Sequence, residues 1–283
     1  MQPVRAGSYI SFGIMVVVTT AEPQQQGILT GVRRAASKVP EITLVFWAIK
    51  ALTTGMGEAA SDFLVHQMPP ALAVVLGFVA FVIALGIQFK ASRYVPWKYW
   101  LAVSMVGVFG TMAADVLHVG LGVPYAVSTG FFAVALAAIL LAWHAAEKTL
   151  SIHSIYTPRR ELFYWATVMA TFALGTAAGD LSAVTLQLGY FSSGLLFAGI
   201  IAIPAIGYWR LRVNPIFAFW FAYIVTRPLG ASFADWAGVS HARGGLDIGA
   251  GLVALVLTMM IVALVSYLSV ALRIELAADR IQH

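Results

Sequence analysis

The 283-residue sequence contains no cysteine. Disulfides, iron–sulfur clusters and thiolate metal sites are thereby excluded, and a bound metal must use oxygen or imidazole ligands. Charge is scarce as well: Asp, Glu, Lys and Arg make up 10% of the chain, against 60% apolar residues. A soluble domain carries roughly 25% charged residues, so there is too little polar surface for a soluble enzyme, a nucleic-acid binder or a disordered scaffold. The chain also lacks a nucleophile–base pairing, an HExxH-type helix and a glycine-rich phosphate loop, and no enzymatic activity is expected. It does have apolar runs such as Pro70–Gln88 and Ile248–Leu272, which reach the ~18-residue length of a membrane span. The 17 Lys and Arg against 12 Asp and Glu then read as basic cytoplasmic loops, with no anionic partner implied.

An internal repeat organises the chain. An aromatic–Trp pair recurs at Phe46-Trp47, Tyr99-Trp100, Tyr164-Trp165 and Phe219-Trp220. Ten residues after each Trp stands Gly57, Gly110, Gly175 or Gly230, and five residues later Asp62, Asp115, Asp180 or Asp235. All four registers match without a gap. Each unit pairs a helix carrying this pattern with a blander apolar helix. First helices are predicted over 43–66, 98–119, 162–188 and 215–239, and second helices over 70–89, 124–145, 191–209 and 248–272. The predicted fold is an all-α integral membrane protein with eight transmembrane helices. Two spans per unit give every unit the same orientation, so four parallel two-helix repeats are expected around an axis along the membrane normal. The units divide as 42–95, 96–160, 161–213 and 214–273, after an N-terminal extension over 1–41 and before a C-terminal tail over 274–283. In the extension, Ile10–Ala21 is apolar but too short to span. A signal-like segment, a partial helix and extra sequence before a start at Met15 stay open there.

Loop charge predicts the sidedness. The segment before the first helix and those joining units hold Arg33, Arg34, Lys38, Lys90, Arg93, Lys98, Lys148, Arg159, Arg160, Arg210 and Arg212, whereas the turns inside units hold only Arg243. Both termini are therefore expected in the cytoplasm. The four Trp are expected as anchors in the cytoplasmic aromatic belt. Fifteen residues at ~1.5 Å rise then carry each Asp roughly 22 Å deeper, to one common depth.

Ionisable residues inside a membrane are costly and mark functional sites. The candidates are Glu58, Asp62, Asp115, Asp180 and Asp235, with Asp247 near the start of the last helix. Lys50 and Arg227 are the cations in the same helices. Even with both paired, three of the five carboxylates lack a basic partner, which is the arrangement a cation pathway needs. Glu58, Asp62 and His66 share one helix face, as do Thr111, Asp115 and His118 in the second unit and Thr176 and Asp180 in the third. Carboxylate, hydroxyl and imidazole suit Mn²⁺, Mg²⁺ or Zn²⁺. Small residues around each repeated Gly favour close approach of backbones, so the four first helices are expected to meet there, with the second helices outside facing lipid. Lys50, three residues past Trp47, is expected to snorkel to the interface. Arg227, before Pro228, is expected to form a buried Arg–Asp pair, an acid of an adjacent unit being the other partner considered. His66 and His118 read equally well as ligands or as wet residues near the outer helix ends.

The aromatic-Trp, Gly, Asp unit resembles a bacterial multi-pass membrane-protein family of unknown function built from four tandem two-helix repeats with a marked Trp. The likeness runs from Val39 to about residue 272 and is plainest at Phe46-Trp47 and Gly57-Glu58-Ala59-Ala60-Ser61-Asp62. The resemblance implies a bacterial inner membrane and supplies no substrate. The function expected from the residues is transport or export of a divalent cation through the five intramembrane carboxylates, in exchange for protons, with the lipid bilayer as the other partner. No resident cofactor is expected. The alternatives are a carrier or channel for another small solute, with Tyr125, Tyr190 or Phe191 at its mouth, and a structural membrane protein whose Asp residues glue helices together. Oligomeric state stays open.

Overall fold

The computed structural model describes residues 37–211 and 213–282. The N-terminal extension read over 1–41 therefore lies almost wholly outside the described residues. Among these there are eight long helices and no strand: α1 (Leu44–Gln67), α2 (Pro70–Phe89), α3 (Pro96–Asp115), α4 (Tyr125–Glu147), α5 (Pro158–Asp180), α6 (Tyr190–Leu211), α7 (Pro215–Gly238) and α8 (Ala250–Gln282). Their starts follow from local chemistry. Proline opens α2, α3, α5 and α7, where its missing N–H costs nothing and its fixed φ suits the first turn. Thr43, Thr157 and Asn214 cap α1, α5 and α7 by accepting first-turn N–H groups. Gly189 (φ 74°) and Gly249 (φ 87°), immediately before α6 and α8, supply the left-handed turn between the two helices of a unit.

Three helix ends differ from the sequence reading. The first helices of units two and three run only to Asp115 and Asp180 in α form. Each then continues as one π-helical turn, Val116–Gly120 and Leu181–Thr185. Helix α8 runs on through most of the segment read as a tail, because residues 273–282 contain neither Pro nor Gly to stop it.

The four first helices of the repeats form a closed inner ring, with α1 against α3, α3 against α5, α5 against α7 and α7 against α1. Each second helix packs outside this ring on the first helix of the following unit: α2 on α3, α4 on α5, α6 on α7, and α8 back on α1. The repeated glycines make the ring close-packed. A Cβ built on Gly57 would lie 2.7 Å from the backbone of Gly107 in α3, and one on Gly110 would lie 2.8 Å from Phe172 in α5. On Gly175 it would run into the Arg227 side chain in α7, and on Gly230 into the Thr54 side chain in α1. Absence of a side chain at one position per unit is thus what lets neighbours touch all the way round.

Six of the eight are long and apolar enough to cross a membrane: α2, α3, α4, α5, α7 and α8. Helix α1 carries Lys50, Glu58 and Asp62 within its length, and the described apolar part of α6 is the shorter stretch Tyr190–Pro204. Buried residues fill 56–67% of the spans of α3, α5 and α7 but only 17–22% of those of α2, α4 and α8. The outer helices instead expose large apolar side chains such as Leu76, Ile83, Phe131, Leu255 and Met259. A contiguous apolar exterior of this kind is stable only against lipid, and the protein is a membrane protein.

Candidate cation site

Reading each inner helix at four-residue steps from the aromatic before its Trp gives the side chains that meet inside the ring. The first tier is Phe46, Tyr99, Tyr164 and Phe219, all buried, with Phe46 packed on Phe219 and the Tyr99 and Tyr164 hydroxyls hydrogen-bonded to each other. The second is Lys50, Val103, Val168 and Tyr223, also fully buried. The third is Thr54, Gly107, Phe172 and Arg227, and the fourth Glu58, Thr111, Thr176 and Ala231. The last tier is the repeated aspartate itself, half-buried in every unit. The interior thus passes from an aromatic plug, through a buried cationic layer, to carboxylates at the far end.

Glu58, Thr111, Thr176 and Arg227 form one network across four helices. Nη2 of Arg227 donates to Oε2 of Glu58 at 2.6 Å and to Oγ1 of Thr176 at 2.7 Å, and also to Oγ1 of Thr111. Nη1 donates to the carbonyl of Thr54 at 2.9 Å. Thr111 and Thr176 each donate toward the same Glu58 oxygen, at 3.3 and 3.4 Å. The expected buried pair of Arg227 forms with an acid of the adjacent unit, and only the residue type is corrected. Its partner is Glu58 of unit one, because the fourth tier faces the guanidinium while Asp235 lies two turns farther along α7.

Three further readings are corrected. Lys50 does not snorkel: its side chain is fully buried, with Nζ 4.1 Å from the ring centres of both Phe172 and Tyr223. These two π faces are the contacts that meet Nζ inside the ring. Trp100, Trp165 and Trp220 are buried between inner helices and not spread in a lipid-facing belt, since each packs on the aromatic of a neighbouring unit. His118 is not a wet end residue, its side chain being only 1% exposed.

The aspartates gather at the mouth in two pairs. Nε2 of His118 lies 2.9 Å from Oδ1 of Asp115 and 3.3 Å from Oδ2 of Asp180, so one imidazole bridges units two and three. Asp62 and Asp235 line a cavity of about 400 Å³ together with His66 and Arg243. His66 is exposed at its rim, with Nδ1 2.6 Å from the Asp62 carbonyl. The pairs share one field: Glu58, Asp115 and Asp180 act on Asp62, and Glu58, Asp62 and Asp180 act on Asp235. Among the described residues no Lys or Arg forms an ion pair with any of the four aspartates. Arg243 instead donates to the Tyr190 hydroxyl at 2.6 Å, and its charge reaches Asp62 only through space. Asp247 sits in the turn before α8 with φ 58° and is not among the inner tiers.

Four successive stretches, residues 45–94, 98–149, 163–214 and 218–273, match the family described as Repeat of Unknown Function (DUF347). The chain belongs to this family. Nothing matches among curated proteins, and nothing among solved structures. Each DUF347 repeat holds one inner helix with its Trp, Gly and Asp, followed by one outer helix. The repeat explains what spacing alone missed. Tyr223, not among the sequence candidates, stands where the other DUF347 repeats of the chain have Lys50, Val103 and Val168, and Arg227 stands where they have Thr54, Gly107 and Phe172. Comparing the repeats with one another at every fourth position from the aromatic before the Trp would have singled out Tyr223.

Proposed function

We propose that this protein carries a divalent cation of the Mn²⁺, Mg²⁺ or Zn²⁺ type across a bacterial inner membrane, in exchange for protons, through Glu58, Asp62, Asp115, Asp180 and Asp235. In this reading all eight long helices cross the bilayer as four parallel two-helix repeats about an axis along the membrane normal, and both termini are cytoplasmic. The packing supports the parallel arrangement, since helix starts touch helix starts, as in Phe46 with Trp100 and Tyr164 with Trp220. Loop charge supports the sidedness.

The observation that carries the proposal is the charge balance of the ring. Arg227 engages Glu58 and Lys50 faces aromatic rings, which leaves four aspartates converging on one mouth with a single bridging histidine. Carboxylates held together at low dielectric repel one another unless protons or a cation join them. An ion that binds there and is replaced by protons has the chemistry of an exchanger. Aspartates serving only as interhelical glue would instead each have a cationic or backbone partner.

A second reading, a carrier for another small solute, draws on the cavity beside Asp62 and Asp235. Its volume of about 400 Å³ exceeds what a bare ion needs, and Arg243 and Tyr190 stand near its rim.

The test is growth of a strain lacking the gene across a panel of metal salts, repeated with Asp→Asn variants and followed by cation flux into vesicles. Sensitivity to one or two divalent cations, restored by the wild type and not by Asp115→Asn or Asp180→Asn, is the expected result. Unchanged metal flux in all four Asp→Asn variants overturns the proposal. Loss of an organic-solute flux in its place favours the second reading.

A further inference from the structure

The four aspartates share one tier, but the helices that carry them do not end alike. Helices α1 and α7 stay α-helical for three or more residues past Asp62 and Asp235. Helices α3 and α5 widen into a π-turn directly after Asp115 and Asp180. Single π-turns inside α-helices cost hydrogen-bond quality and concentrate at functional sites. The first of these turns contains His118, so it sets the imidazole between the two carboxylates.

Hydrogen bonding alone does not satisfy this trio. A proton on Nε2 lies along one good hydrogen bond at a time, and the 2.9 Å contact to Asp115 takes it. The Asp180 oxygen at 3.3 Å is then a second carboxylate facing the same nitrogen without a proton of its own. The other nitrogen, Nδ1, is buried and has no partner among the described residues. One carboxylate oxygen from each Asp and one imidazole nitrogen lie within 4.8 Å of one another. In a tetrahedral zinc site with ligand bonds of ~2.0–2.1 Å, neighbouring ligand atoms stand about 3.3–3.4 Å apart. Small movements of two side chains therefore close the trio around an ion. The carboxylates are 26% and 18% exposed, which leaves a wet side for a fourth, exchangeable ligand.

We infer that Asp115, His118 and Asp180 form a three-ligand site for a zinc-like transition-metal ion, with water as fourth ligand, at the boundary of the second and third repeats. This names the ion class within the carrier reading and rests on that reading only for the claim that the ion moves. The imidazole decides the class: nitrogen favours Zn²⁺ and its first-row neighbours, whereas Mg²⁺ and Ca²⁺ favour all-oxygen shells. Metal on Nε2 displaces its proton, so each ion bound releases protons in proportion to how far the trio was protonated.

The test is direct binding to the purified full-length protein in detergent. Zn²⁺ titration is followed by calorimetry, and Co²⁺ titration by its visible absorption, which is strong for a four-coordinate ion and weak for a six-coordinate one. One equivalent of Zn²⁺ should bind, Co²⁺ should give the strong spectrum, and millimolar Mg²⁺ should displace neither. His118→Gln, Asp115→Asn and Asp180→Asn should each weaken binding by at least about tenfold. His144→Gln, an exposed histidine on α4, should leave it unchanged. His118→Cys should retain binding with a shifted Co²⁺ spectrum, a result that mere loss of folding cannot produce. Mg²⁺ competing on equal terms, a weak six-coordinate Co²⁺ spectrum in the wild type, or full affinity in His118→Gln overturns the inference. Binding with no metal flux in vesicles sinks the carrier reading and leaves the site standing. Metal flux with no dependence on His118 does the reverse.

Discussion

A guanidinium keeps its charge at any pH a membrane meets, so a buried one must be surrounded by acceptors. Arg227 is fully buried and has four: Glu58, Thr111, Thr176 and the Thr54 carbonyl. Only Glu58 carries countercharge, and breaking a buried ion pair from one side leaves the other charge stranded at a cost of roughly 3–5 kcal/mol. Glu58→Gln should therefore destabilise the protein strongly, and Arg227→Met should do likewise by stranding Glu58. The double variant Glu58→Gln/Arg227→Met should recover much of the loss, because no stranded charge remains. Denaturant unfolding of the four proteins in one detergent checks this, and additive losses would show that the pair is not the unit. Lys50 makes a useful contrast: among the described residues it has no countercharge, only two ring faces, and Val103 and Val168 fill the same place in other repeats.

At the scale of a helix, the glycines divide into two populations by what surrounds them. Gly57 is pressed against the backbone of Gly107, with only 2.7 Å available to an added Cβ, and backbone cannot move aside as a side-chain tip can. Gly130 on α4 has nothing within 4 Å of that position. The same substitution should then have opposite signs. Gly130→Ala should stabilise by up to about 1 kcal/mol, since Ala costs less backbone entropy in a helix. Gly57→Ala should destabilise by about 1–3 kcal/mol as α1 is forced away from α3. Thermal unfolding of the two variants side by side decides it, and a stable Gly57→Ala would mean that the inner ring is looser than its contacts imply. This division was legible in part from sequence, because Gly57 recurs at a fixed place in every unit and Gly130 does not. The π-turns were not legible. Val116–Gly120 and Leu181–Thr185 carry no shared motif that would mark a π-turn in sequence.

For the molecule as a whole, the period of the Trp, Gly and Asp positions made the four inner helices and their common contact face readable in advance. Gly57, Gly110, Gly175 and Gly230 each touch the next unit's inner helix. The position of His118 between two units was beyond any one-helix argument, because it depends on which unit neighbours which. So did the partner of Arg227, a carboxylate 169 positions away in sequence. The Arg227 pairing depends on the ring being closed within one chain, with unit four returning to unit one. That closure can be trapped, and the absence of native cysteine makes the experiment clean. A Cβ built on Gly55 of α1 lies 3.4 Å from the Cβ of Ala234 in α7, close to the ~3.5–4.5 Å that disulfides span. A Gly55→Cys/Ala234→Cys protein, given a protease site between Lys148 and Ser154, should form this bond on oxidation. After cleavage it should still migrate as one full-length species until reduced, while either single variant separates into two fragments. A dimer-sized band on oxidation before cleavage would instead mean that unit one meets unit four of a second copy. The inner tiers, Arg227 and Glu58 included, would then be built from two chains exchanging halves.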